Sequence, residues 1–368
     1  MKIGILGAGQ LGRMLALDGY RLGHEFSLYD PSGRASAGVG TLYNDPDGSQ
    51  LETFLACVDQ ITYEFEHLPL ALVERIAEEK PVNPPPRALQ VCQNRRYEKS
   101  LFQELGIPTA AFRLAGSSGE LRDGINALAG PVVAKSVTQG YDGKGQAVIE
   151  SPDEAEDAWG AIAHPEVVVE QFVNFQRELS IVAARGRDGD MAFYPLAENI
   201  HDQGILRFSI APARRIPLKL EDEAQRMMRA LMNELDYTGV LALELFDTEQ
   251  GLMANEMAPR VHNSGHWSQN GAITSQFENH IRAISGLPLG ETAALAPTCM
   301  LNLIGETGPI PRLLQLPYTH LHLYGKTPKP GRKIGHINIL ADSAEELRWR
   351  AMNTASLLPG CPEFNWRP

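Results

Sequence analysis

The sequence predicts an α/β and α+β protein built from three parts, and three observations carry that reading. Residues 1–92 alternate short apolar runs with helical patterns, as a parallel, doubly wound sheet requires. The segment Pro81–Arg87 (PVNPPPR) puts four prolines into seven residues and reads as a boundary, unfit for helix or inner strand. At 368 residues the chain exceeds one simple core and suits two or three domains.

In the first part, Lys2–Leu6 and Phe26–Tyr29 read as strands with a helix Leu11–Leu22 between them. Asp59–Phe65 reads as a later strand and Leu70–Lys80 as a helix. Beyond the prolines, a helix from Arg96 to Leu105 stops at Gly106-Ile107-Pro108. Pro131–Ser136, Ala147–Ile149, Val167–Gln171, Glu178–Ala184 and Ala192–Leu196 read as strands. The helix Glu221–Tyr237 places Ala224, Met227, Met228, Leu231 and Leu235 on one face, a core stripe. Val240–Phe246 and Leu252–Met257 follow as strands about the turn Asp247–Gly251, then a helix at Ser275–Ser285. A proline-rich tail from Leu287 adds the strands His320–Tyr324 and Gly335–Leu340.

Acids outnumber bases, 45 against 33, for a net charge of −12. With no lysine or arginine block, such a chain is a poor partner for nucleic acid; small anions would need a local basic pocket. Cys57, Cys92, Cys299 and Cys361 lie far apart with no CxxC, which suggests neither a disulfide scaffold nor a zinc site and fits a reduced, cytoplasmic chain. The start MKIGILGAGQLGRMLAL, broken by glycines and Arg13, reads as a strand and turn rather than a signal peptide. No run approaches the ~18–20 apolar residues of a membrane span.

Five motifs carry chemistry. Gly7-Ala8-Gly9-Gln10-Leu11-Gly12 follows a strand, opens a helix and precedes Asp30, the pattern of a dinucleotide fingerprint. The same turn suits any phosphate, or helix–strand packing alone, so a NAD-dependent dehydrogenase stands as one reading. Lys135 ends a strand, and Gly140–Gln146 (GYDGKGQ) then forms either a hairpin or a loop folding over polyphosphate. Glu244 and Glu256 flank the Asp247–Gly251 turn. If the strands pair about residue 249, equal parity puts both carboxylates on one face, close enough for one or two divalent ions; in solvent they would be rim groups. Arg260-Val261-His262-Asn263-Ser264-Gly265-His266 is either an exposed loop or a site floor. Lys326, Lys329, Arg332 and Lys333 form the only dense basic cluster, a phosphate clamp or a solvated face.

Taken together, GAGQLGRML (7–15), YEFEH (63–67), NRRYEK (94–99), AKSVTQGYDGKGQ (134–146), VEQFVNFQRELS (169–180), HDQGILR (201–207), NEMAPRVHNSGHW (255–267) and GRKIGH (331–336) resemble the ATP-grasp ligases. Within them the chain is similar to the 5-(carboxyamino)imidazole ribonucleotide synthases of purine biosynthesis, over essentially its whole length. The resemblance implies a Rossmann-like (pre-ATP-grasp) domain at 1–95, an ATP-grasp domain at 96–290 with a lid subdomain at about 110–172, and a small C-terminal domain at 291–368. It implies carboxylation of 5-aminoimidazole ribonucleotide by bicarbonate through carboxyphosphate, using ATP and Mg2+ without biotin, in a cytoplasmic homodimer. A formate-dependent glycinamide ribonucleotide transformylase is the near alternative.

The resemblance also implies residue roles. Arg95, Lys135 and the loop Gly140, Tyr141, Asp142, Gly143, Lys144, Gly145 and Gln146 would meet ATP phosphates. Glu170, Gln171, Phe172 and Val173 would hold adenine, Glu178 the ribose, and His201 would line the nucleotide site. Glu244 and Glu256, helped by Asn255, would hold magnesium. Gln10, Leu11, and Glu66 or Glu64 would meet the aminoimidazole ribonucleotide, with His262, Asn263 and Ser264. Lys326, Arg332 and Lys333 would clamp its 5′-phosphate. Tyr141, Asp142, Lys144, Arg260 and Asn263 would serve catalysis, although Lys144 stands where many members carry arginine, without the bidentate fork.

Overall fold

The computed structural model describes residues 1–138, 145–364 and 366. Its first sheet contains β1 (Lys2–Leu6), β2 (Glu25–Asp30), β3 (Thr41–Asn44) and β4 (Gln60–Tyr63), all parallel in the order β3-β2-β1-β4. Alternation along the strands sends Ile3, Ile5 and Leu28 to one face, against Leu11 and Leu15 of the helix Gln10–Tyr20. Leu6, Ile61 and Tyr63 go to the other face, against Phe54, Val73 and Ile76. The sheet is therefore covered on both sides, as a doubly wound sheet must be.

The proline segment is more than a boundary. Val82 bridges Ile61 in parallel at the edge of β4, and a helix Pro86–Cys92 begins with Pro86 in its first turn. Proline's missing N–H costs nothing at a helix start or an outer edge, so four prolines excluded less than expected.

The second sheet is antiparallel, with β5 (Phe112–Ala115), β6 (Val132–Ser136), β7 (Gln146–Ile149) and β8 (Val167–Gln171) in the order β5-β8-β6-β7. The helix Ser118–Leu128 packs Leu121, Ile125 and Leu128 on Val132, Ala134, Val167 and Val169.

The third sheet has nine strands: β9 (Arg177–Arg185), β10 (Met191–Phe193), β11 (Ala197–Asp202), β12 (Ile205–Ala211), β13 (Gly239–Thr248), β14 (Gly251–Ala258), β15 (Thr298–Ile304), β16 (Thr319–Leu323) and β17 (Lys333–Leu340). Its path is β14-β13-β9-β11-β12-β15-β17-β16, with β10 on β9. The tail strands thus continue the central sheet through β12–β15 pairing. The stripe Ala224, Met227, Met228 and Leu231 lies in the helix Leu218–Glu234 and packs with Leu179, Ile181, Leu241 and Leu243. Among the described residues, no helix is long and apolar enough to cross a membrane.

Candidate active site

The three sheets converge on a cleft of about 620 Å³. Lys135 from β6, Glu178 from β9, His201 from β11, Glu244 from β13 and Asn255 and Glu256 from β14 line its middle. Gln10, Leu11 and Glu66 enter from the first domain, and Lys333 from the start of β17. Arg95 and Gln146, the run Glu170–Val173, and Arg260, His262 and Asn263 complete the expected residues on its wall.

The β13–β14 hairpin sets the carboxylates. Thr248 pairs with Gly251 and Leu245 with Ala254, so the turn is centred between 249 and 250 and the equal-parity argument starts one residue out of step. The register then shifts, since Leu243 pairs with Met257. Glu244 therefore opposes both Asn255 and Glu256 across a β-bulge. The bulge, not the turn, puts the two glutamates together. Burial and then the Glu256 charge push the Glu244 carboxyl up to about 7.

Asn94 caps the helix Arg95–Glu104, its side chain accepting the N–H of Arg96 at 2.9 Å, and this fixes Arg95 at the first helical position. Arg95 donates to the Ser136 carbonyl at 3.0 Å and lies 4.0 Å from Glu256. Lys135 Nζ donates to Glu170 Oε2 at 3.1 Å and to Asn255 Oδ1 at 3.4 Å. One oxygen of Glu170, the group expected at adenine, is thus committed to lysine, while its Oε1 is buried without a partner among the described residues. Glu178 meets His201 at 2.7 Å. Burial favours the neutral imidazole of His201, but Glu178 outweighs it and raises the proton affinity.

At the other end, Glu64 fills the glycine turn. Its Oε2 accepts the N–H of Gly12 at 2.6 Å, and its Oε1 accepts the N–H of Gly9. A Cβ on Gly7, whose φ is +99°, would fall 2.5 Å from Glu64 Cγ, and one on Gly9 would fall 2.7 Å from Oε1. The dinucleotide reading is corrected here: the helix N-terminus serves an internal carboxylate, and Asp30 accepts from Ser32 at 2.8 Å. Beside the turn lies a hollow of about 280 Å³ lined by Gln10, Leu11, Glu64 and Lys326, together with Arg34 and Ser36.

Glu66 and Arg260 form a two-pronged ion pair, with Nη2 donating to Oε1 at 2.8 Å and Nε to Oε2. Burial alone would raise the Glu66 carboxyl, but Arg260 overcomes it and holds it at about 2. Burial and the Arg260 charge hold His262 down to about 3, a neutral ring 3.6 Å from Glu244. Asn263 exchanges amide hydrogen bonds with Asn302 at 3.0 and 2.7 Å.

Three expected ligand contacts, Ser264, Arg332 and Gly145, do not reach either hollow. Ser264 is fully buried and accepts from Ser180 Oγ at 2.8 Å, so it supports the floor instead of lining it. Arg332 lies exposed outside both hollows, donating to the Thr327 carbonyl at 3.2 Å. Gly145 accepts the N–H of Ser136 at the start of β7. Gly140, Tyr141, Asp142, Gly143 and Lys144 lie outside the described residues.

Sequence reasoning missed several lining groups. Phe175 and Phe246 stack with centroids 4.7 Å apart on the cleft wall near Phe172 and Val173. Tyr324 and His266 also line the cleft, and Lys99 is buried behind Lys135. Phe246 and Tyr324 sat in runs that read as strands, where only the fold shows which face a side chain takes, and Phe175 lies in the loop between β8 and β9.

Comparison with known proteins agrees along the chain. Residues 1–93 match the ribonucleotide synthetase preATP-grasp domain, 100–277 the ATP-grasp domain and 298–350 the phosphoribosylaminoimidazole carboxylase C-terminal domain. The N5-carboxyaminoimidazole ribonucleotide synthase of Pseudomonas aeruginosa is 43% identical over 361 residues, covering 97% of this chain and 99% of that protein. The crystal structure of N5-carboxyaminoimidazole ribonucleotide synthetase from Thermus thermophilus has a TM-score of 0.93 at 45% identity, covering 99% of this chain and 100% of that one. The Aspergillus clavatus enzyme, solved with ADP and 5-aminoimidazole ribonucleotide, has a TM-score of 0.87 at 30% identity, covering 97% and 98%. With its three domain matches, its cleft and its full-length relatives in agreement, the chain belongs to the N5-carboxyaminoimidazole ribonucleotide synthase family of ATP-grasp ligases.

Proposed function

We propose that the cleft carboxylates 5-aminoimidazole ribonucleotide with bicarbonate at the expense of ATP, through carboxyphosphate, yielding 5-(carboxyamino)imidazole ribonucleotide, ADP and phosphate. The observation that carries this reading is the bulge: it gathers Glu244, Asn255 and Glu256 on one wall with Lys135 and Arg95 beside them. Cations and paired carboxylates at one spot suit a polyphosphate and its metal.

The donor set fits magnesium. Two facing carboxylates, one with raised proton affinity, favour a cation between them. Among the described residues no cluster of three or more His, Cys, Asp or Glu encloses a metal. Glu244 and Glu256 would therefore share it with phosphate oxygens, magnesium's usual arrangement. When bound, it would neutralise charge on the transferred phosphoryl group.

Lys135 and Arg95 would hold the phosphates, and Phe175 and Phe246 would flank the base beside Gln171–Val173. Glu178, oriented by His201, would accept from the ribose hydroxyls. Arg260, aimed by Glu66, would meet the carboxyphosphate oxyanions. Glu66 would act on the ribonucleotide through Arg260 and not as a free acceptor. Lys326 and Lys333 would receive the 5′-phosphate, with Gln10 and Leu11 against the ring. Asn263 and His262 would hold the floor, and Tyr141, Asp142 and Lys144 would approach bicarbonate and the exocyclic amine. Domain limits at 95 and 290, a homodimer and a cytoplasmic location belong to the same proposal.

The test is phosphate release from MgATP with bicarbonate, with and without 5-aminoimidazole ribonucleotide. Strong stimulation by the ribonucleotide is expected; none would sink the reading. Stimulation by formate plus glycinamide ribonucleotide would favour the alternative ligase.

A further inference from the structure

Lys99 has no part in the roles above, yet its side chain is 1% exposed. It lies one helical turn beyond Arg95, on the same side of the helix Arg95–Glu104. Its Nζ meets Thr109 Oγ1 at 3.0 Å, the Asn255 carbonyl at 3.0 Å and Glu170 Oε2 at 3.3 Å. The Thr109 hydroxyl donates to the Ala254 carbonyl at 2.8 Å, so toward Lys99 it accepts. Three acceptors match the three N–H donors of an ammonium; a neutral amine has only two. The oxygen of Glu170 that Lys99 approaches is the one that takes Lys135.

We infer that Lys99 is a charge-compensating positioning residue. It shares Glu170 with Lys135, so that Glu170 fixes Lys135 without cancelling its charge toward the ATP phosphates. Two ammonium groups and one carboxylate leave a net positive charge, since burial and then the Glu256 charge push the neighbouring Glu98 carboxyl up to about 8 and keep it largely neutral. With Lys99 absent, Lys135 and Glu170 would form a neutral, self-satisfied pair. Lys99 also grips the carbonyl of Asn255, inside the bulge that brings Glu256 opposite Glu244. The inference rests on the proposed contact between Lys135 and ATP.

The experiment is steady-state kinetics with ATP varied, on the full chain. Lys99→Met is expected to raise KM for ATP about tenfold or more while KM for 5-aminoimidazole ribonucleotide stays within about twofold. Lys99→Met with Glu170→Gln restores the positive balance and keeps an oxygen acceptor, so it should recover most of the loss. A double variant no better than the single would mean that Lys99 only fills space, and would overturn the inference. Lys135→Met separates the two ideas. If it leaves KM for ATP unchanged, the reading of Lys135 fails; if it raises KM while Lys99→Met does not, only the inference fails. Should Lys99→Met not fold, Lys99→Gln takes its place in the same comparison with its Glu170→Gln double: a double with a lower KM for ATP than the single upholds the inference, and one no better overturns it.

Discussion

The turn Gly7–Gly12 and the strand end at Lys135 both carry sequence marks of a phosphate cradle, and the fold treats them in opposite ways. At the turn, the N–H groups that would face an anion already serve Glu64, a carboxylate 52 residues beyond Gly12. At Lys135 the nearest carboxylate, Glu170, is divided between two lysines, so positive charge is left over. A local motif fixes backbone shape or charge type; residues brought from far along the chain decide whether an anion site is open or already filled. Each prediction below acts on one side of that contrast.

The largest effect is expected on the open side. Glu256→Gln keeps the bulge but removes a charge from the proposed metal pair, and should lower kcat/KM about a thousandfold or more. Its melting temperature should be unchanged or higher, because the like-charge repulsion that the half-exposed Glu256 exerts on Glu244 is relieved. Phosphate-release kinetics alongside thermal melting read both; activity within about tenfold of wild type would break the metal assignment.

Acid should tell the two regions apart next. Burial holds His322 down to about 4, and lowers His266 and His336 too. His336 stacks on His322 with centroids 4.4 Å apart and lies tilted against His266 at 5.0 Å, between the cleft floor and the tail strands. These rings are neutral when folded, whereas the unfolded chain takes up protons below about 6.5. Stability therefore falls with pH from there, by about 2 kcal/mol between pH 7 and pH 6 for the group. Glu64 has the other sign. Burial, only partly offset by the two glycine N–H groups, raises its carboxyl above 4.5, so acid does not weaken the turn. Denaturant titrations across this range, with amide exchange followed in both regions, should show the cleft and tail loosening first. Earlier loosening of the turn would invert the comparison.

Much of this contrast was legible in the sequence, and what was not has definite causes. The strands that carry Lys135 and Glu170 were readable from their apolar runs, although only β8 is buried on both faces while β6 alternates. The helix Ser118–Leu128 was not, since Gly119 and Gly124 hide its pattern and the Ser117 cap and tertiary packing sustain it. The strands β11 and β12 were missed because the segment that joins them, His201-Asp202-Gln203-Gly204, is polar and interrupts the apolar pattern, with His201, Gly204 and Leu206 on the cleft wall. The bulge opposite Glu244 could not be read at all, since strand parity is local and its interruption is a property of the pair. Glu64 and Glu66 looked interchangeable in YEFEH; only the fold sends one to the turn and the other to Arg260.

On the filled side, Glu64→Gln tests whether the carboxylate is what closes the turn. Glutamine can accept from one of the two glycine N–H groups but presents an NH2 to the other, so a loss of about 1–2 kcal/mol of stability is expected. Chemical unfolding measures it. Wild-type stability, or a new affinity of the native chain for NAD, would show that the turn was open after all.

The smallest effect should come from the apolar wall that accompanies the open cradle. Phe246→Leu removes the ring stacked on Phe175 but leaves β13 its side-chain pattern. An aromatic pair is worth about 0.5–1.5 kcal/mol beyond its buried area, so KM for ATP should rise roughly two- to tenfold with kcat nearly unchanged. Charge sets whether the phosphates can be held at all, while the stacked rings only tune how tightly the base sits. A collapse in kcat from this substitution would mean that the wall also aligns the reacting phosphate, and that the cradle at Lys135 does not act by charge alone.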